Sequence, residues 1–147
     1  MEKKAAASGG EERFEVGAVP AAGLLFLRAA TGVTMAVAHG WPKLERLMGD
    51  APRFADPFGI GVVPSLALAT FGELVCGLLI AIGLGTRVAA VPFAITMLVA
   101  MFFAHADDPW SEKEHAFLFL VPAITLMITG PGRYSIDHLI AERRAKR

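Results

Sequence analysis

Arg28 and Glu73 are the ionisable residues that interrupt long apolar runs of this 147-residue chain. A charge left unpaired at the centre of a bilayer costs about 3 kcal/mol on insertion scales, so such residues turn inward and find partners. With the runs drawn as Ala21–Ala38 and Pro64–Leu84, both charges fall near the middle of their own run. At about 1.5 Å of rise per residue they share a depth to within about 3 Å. The expectation is an Arg28–Glu73 ion pair or hydrogen-bonded cluster. Arg28, Gly32, Met35 and His39 recur on one helical stripe, and Ala69, Thr70, Cys76 and Gly77 flank Glu73 on a stripe of small residues that allows close approach. A buried pair of this kind can fix helix register and do nothing else. It can also form the polar centre that a quinone head group or a proton step requires, and the residues leave both roles open.

Further polar groups stand where the apolar runs end. His39 and Lys43 follow the first run, His105 follows the third, and Glu114 and His115 open the fourth. The candidate binding set is therefore Arg28, His39, Lys43, Glu73, His105 and Glu114, a polar centre with a rim. Histidines on separate helices suit haem or a metal. However, the chain has no HxxxH spacing, so haem is disfavoured and no metal site is expected. Ser8, Ser65, Ser111 and Ser135 lie in no nucleophile elbow, and the single cysteine, Cys76, sits inside an apolar run where it can build neither a disulfide nor a CxxC pair. No residue stands out as catalytic. A net charge of zero gives no reason to expect nucleic acid.

Four elements must position these groups. Hydrophobic residues make up 54% of the chain and charged ones 19%, with a mean hydropathy of +0.52. The charges gather at the ends and between apolar blocks, where a soluble amphipathic helix would interleave them. The blocks are Ala21–Ala38, Pro64–Leu84, Val88–Ala104 and Ala116–Gly130, and a membrane span needs about 20 residues. The expected architecture is an all-α integral membrane four-helix bundle with up-down antiparallel topology. The fourth block is short and carries Pro122. Residues 1–20 read as a disordered leader and 141–147 as a basic tail, most simply a lipid-headgroup anchor. In the long connection, Leu44, Leu47 and Met48 have helical spacing and suggest a short surface helix. Gly85-Thr86-Arg87 is a tight turn that makes the second and third helices antiparallel neighbours, and Gly130-Pro131-Gly132 stops the fourth.

Nine Lys and Arg flank one side of these blocks and four (Lys43, Arg46, Arg53 and Lys113) flank the other. The positive-inside rule then places both termini in the cytoplasm, with Trp41 and Trp110 at the outer interface.

The ordered set of short segments resembles the DoxX family of small bacterial and archaeal membrane proteins. The resemblance rests on Gly23-Leu24-Leu25-Phe26-Leu27-Arg28, His39-Gly40-Trp41-Pro42-Lys43-Leu44, and Glu73 followed by Gly77-Leu78-Leu79. It continues through Gly83-Leu84-Gly85-Thr86-Arg87, His105, Glu114 and Gly130-Pro131-Gly132-Arg133-Tyr134-Ser135-Ile136-Asp137. It spans about residues 21–140. It implies a multi-pass subunit of the bacterial or archaeal plasma membrane, associated with oxidoreductases. Members are linked to thiosulfate:quinone oxidoreductase, to a complex handling oxidative and thiol stress, and to catechol or quinone detoxification. The cofactor stays open, with a quinone as the candidate; the partners to expect are the lipid bilayer, an oxidoreductase subunit or a second copy of the chain. A non-catalytic anchor for a soluble enzyme is the alternative. A small transporter fits less well, because there is no inverted repeat or broken helix.

Overall fold

The computed structural model describes residues 2–50 and 52–147, with side chains from Val19 onward. The expected leader lies outside the residues described in full, apart from Val19 and Pro20. Five helices follow one another. The backbone is helical from Glu2, and α1 is taken here as its apolar part, Val19–Leu47; α2 is Val62–Ile82, α3 is Thr86–Ala104, α4 is Trp110–Thr129 and α5 is Ile136–Ala145. No strand occurs among the described residues. Three of the helices, α1, α2 and α3, are long and apolar enough to cross a membrane.

Local chemistry sets most of the boundaries. The carboxylate of Asp56 accepts from the N–H groups of Ile60 and Gly61 and from the Ser65 hydroxyl, which closes the loop onto the start of α2. Gly83, at φ +75°, ends α2 in the left-handed conformation that suits glycine. Gly130 ends α4, and Pro131 prevents its continuation. Ser135 caps α5 by accepting from the N–H of His138.

Helix α1 packs on α2, α2 on α3, α3 on α4, and α4 returns to α1. The core is made of small and medium side chains, with Phe93, Ile80, Leu126 and Ala123 fully enclosed. Outward-facing positions are strongly apolar: Phe26, Val88 and Ile128 each expose more than 70% of their surface, whereas Arg28 and Glu73 are buried. A water-soluble domain does not expose so many large apolar residues around its whole girth, and lipid-facing helices do.

Two boundaries differ from the sequence expectation. Helix α1 does not stop at Ala38 but runs to Leu47 through a π-helical turn at Ala36–Gly40, so Trp41–Leu47 continues the helix. The wider i→i+5 turn, closed by the Trp41 N–H on the Ala36 carbonyl, comes just before Pro42, whose ring would clash with an ordinary helical carbonyl. Helix α4 begins six residues before the expected Ala116, and the buried Pro122 is accommodated without a break. The chain beyond Gly130 also forms a further helix, α5, where a tail was expected to begin at 141.

Candidate functional site

Two more π-helical turns occur, at Phe71–Val75 in α2 and at Ala100–Ala104 in α3. Such single wide turns are rare in helices and often mark functional positions. Those of α1 and α2 pack against each other. The approach is so close that a Cβ on Gly40 would stand 2.6 Å from the backbone nitrogen of Leu74, so only glycine fits there. Glu73 projects from the α2 turn, and His39 lies in the α1 turn.

Glu73 is 4% exposed, and its carboxylate accepts from the Lys43 ammonium at 2.6 Å. Lys43 stands four residues beyond His39, one helical turn further on. Its side chain keeps 18% of its surface open, and the ammonium lies 6.0 Å from the centre of the Phe54 ring in the α1–α2 loop. His39 lies within electrostatic range of Glu73, Lys43 and His115, and it meets the Phe119 ring edge-on at 5.7 Å between centroids. Phe119 and His115 are one turn apart on α4. Lys43, Glu73 and His39 thus form a polar centre at the junction of α1, α2 and α4, with the exposed His115 on its outer side.

Arg28 does not belong to this centre, so the expected Arg28–Glu73 pair does not form. Its guanidinium donates instead to the carbonyls of Ala81 and Tyr134, beside Gly83. Ala81 is eight residues from Glu73, which separates the two charges by about 12 Å along α2. The register between the first two helices is set by close contacts, with Gly32 against Gly77 and Ala81 and Gly40 against Leu74, and it brings Arg28 opposite the end of α2. Arg28 belongs to a clasp at the end of the bundle that carries the α2–α3 turn. There the Asp137 carboxylate accepts from the N–H groups of Gly85 and Thr86, and the Asp137 N–H donates to the Gly83 carbonyl. The segment Gly130–Asp137 therefore locks α5 onto the turn.

His105 hydrogen-bonds with Asp108 at 2.7 Å in the α3–α4 loop, and Glu114 is exposed on α4. The structure does not bring them to the Lys43–Glu73 pair. His115, read with Glu114 as opening the fourth block, lies by the centre although it was not among the candidate binding residues. Its signal was its place one turn before Phe119, on an α4 that begins earlier than the apolar block suggests.

The architecture and the buried polar centre define a small polytopic helical membrane protein. The DoxX family model matches residues 23–106, and the chain belongs to the DoxX family. Three curated relatives agree with this. One, from Bacillus subtilis (strain 168), bears the name "Putative oxidoreductase CatD"; it is 30% identical over 119 residues, which cover 80% of this chain and 87% of the relative. Inner membrane protein YqjF of Escherichia coli (strain K12) is 29% identical over 73% of this chain and 84% of its own length. The uncharacterized membrane protein Rv3486 of Mycobacterium tuberculosis is 35% identical over 48% of this chain and 52% of its own length. No solved structure matches the chain.

Proposed function

We propose that this protein is the small membrane subunit of a quinone-linked oxidoreductase or oxidative-stress complex, with Lys43, Glu73 and His39 as its proton-handling centre. The observation that carries the reading is the ion pair of Lys43 with the buried Glu73, held where two π-helical turns meet. An ion pair buried for stability alone gains little, because desolvation consumes most of the attraction. The name of the Bacillus relative supports a redox setting.

The donor set fits a quinone head group, whose carbonyl oxygens need hydrogen-bond donors. One N–H of the Lys43 ammonium serves Glu73, which leaves two donors on a side chain that keeps 18% of its surface open. When bound, a quinone would accept or release electrons together with protons. Lys43 orients the carbonyl and compensates developing negative charge. Glu73 holds or returns a proton beside it, and His39 links the pair towards His115. Electrons come from a partner reductase, since these side chains carry none. In this reading α4 is a fourth membrane span, both termini are cytoplasmic by the nine-to-four Lys and Arg asymmetry, and the membrane is a bacterial plasma membrane. His105, Glu114 and Arg28 lie outside the centre.

The test is purification in mild detergent, followed by organic extraction and a visible spectrum. Bound quinone in the wild type, reduced by Lys43→Met and Glu73→Gln while folding is retained, is the expected result. Absence of quinone, with no co-purifying reductase, would overturn the proposal.

A further inference from the structure

A groove of about 750 Å³ lies away from the Lys43–Glu73 centre, between α2, α3 and α5. Its walls are mainly apolar, with Phe71, Leu79, Val88 and Pro92 from α2 and α3 and Ile140 and Ala141 from α5, and Arg144 of α5 also lines it. From Leu79 to Phe71 the groove follows α2 for about 12 Å, most of the way from the interface to the centre of a hydrocarbon core about 30 Å thick. Asp137 also lines it, but both carboxylate oxygens are taken by the N–H groups of Gly85 and Thr86. Among the described residues no ion-pair partner faces Arg144, while Glu142 on the same helix is held by His138 at 3.2 Å.

The rest of helix α5 points the same way. Leu139 and Ile140 are exposed although apolar, and the last turn carries Arg143 and Arg144. A short helix with bare apolar residues on one side and arginines at its end lies in a membrane interface. We infer that the groove binds one anionic phospholipid, with an acyl chain between α2 and α3 and the phosphate on Arg144. Charge decides the occupant, because a neutral isoprenoid quinone gives Arg144 nothing to pair with.

The full chain is reconstituted in nanodiscs of mixed phosphatidylglycerol and phosphatidylcholine, released into mild detergent, and analysed by native mass spectrometry. The expected result is one retained phosphatidylglycerol per chain. Arg144→Gln, an exposed change, lowers its retention about fivefold, the worth of one interfacial basic residue. Arg143→Gln changes it less. Ala141→Trp narrows the groove and lowers retention with Arg144 intact, and millimolar inorganic phosphate does not compete. Equal retention by the wild type and Arg144→Gln, no preference for phosphatidylglycerol, or a neutral quinone as the retained species would each overturn the inference.

Discussion

Replacing Lys43 and Glu73 in turn tests the central pair, and the two changes are not equivalent. Lys43→Met keeps most of the apolar stem but leaves the 4%-exposed Glu73 carboxylate without its cation. Breaking a buried pair from one side costs about 3–5 kcal/mol. Glu73→Gln is gentler. The amide oxygen still accepts from Lys43, and the ammonium, with 18% of its side chain already open, can swing outward on its flexible stem. Its expected cost is about 1 kcal/mol, that of one weakened hydrogen bond. The double variant buries no charge, so it should be more stable than Lys43→Met alone, with a coupling energy of about 2 kcal/mol. Unfolding by denaturing detergent in mixed micelles, fitted for all four proteins, gives each value. A Lys43→Met no less stable than Glu73→Gln, or a coupling below about 0.5 kcal/mol, would refute the reasoning.

Three other outcomes are expected. A Cβ at Gly32 would lie 2.3 Å from the Gly77 carbonyl oxygen, so Gly32→Ala should lower stability by about 1–3 kcal/mol, whereas Gly23→Ala, with nothing within 4 Å, should be neutral or slightly stabilising in the same unfolding assay. Asp137→Ala removes the acceptor for the Gly85 and Thr86 N–H groups and should cost about 1–2 kcal/mol, with proteolysis reaching α5 first. The Ser65 hydroxyl, with the Gly61 and Ile60 N–H groups, holds the Asp56 carboxyl below its ordinary range. A carboxyl depressed by folding stabilises fully above its unfolded value and loses that contribution as pH falls through the folded value. Thermal melts should therefore separate wild type from Asp56→Asn at neutral pH and bring them together in acid.

The apolar blocks at 64–84 and 88–104 locate α2 and α3 to within two residues at each end, because sustained hydropathy, broken only by Glu73, leaves little choice of span. The first helix was harder to read. His39-Gly40-Trp41-Pro42-Lys43 has the composition of a loop, and a π-helical turn leaves no mark in residue periodicity. Stopping α1 at Ala38 hid that Lys43 continues the stripe of Arg28, Gly32 and His39, and it placed Arg28 at the wrong depth. Arg28 and Glu73 were both correctly read as buried, since hydrocarbon gives an ionisable group no other refuge. Their partners depended on register, which is set by close glycine contacts between helices and not by depth along one helix.

The reach of Arg28 across the sequence also bears on biogenesis. Its two carbonyl acceptors lie 53 and 106 residues downstream. At about 5–20 residues per second, the ribosome delivers the second some 5–20 s after Arg28 itself. Throughout that interval α1 carries a cation whose set of final partners is incomplete, with the Ala81 carbonyl arriving halfway and the Tyr134 carbonyl last. The hydrogen bonds that hold the first helix through Arg28 are therefore complete only after the last segment has been made. A nascent chain halted before Tyr134 leaves the Arg28 guanidinium one carbonyl acceptor short, and membrane quality control would have an incompletely paired charge to recognise.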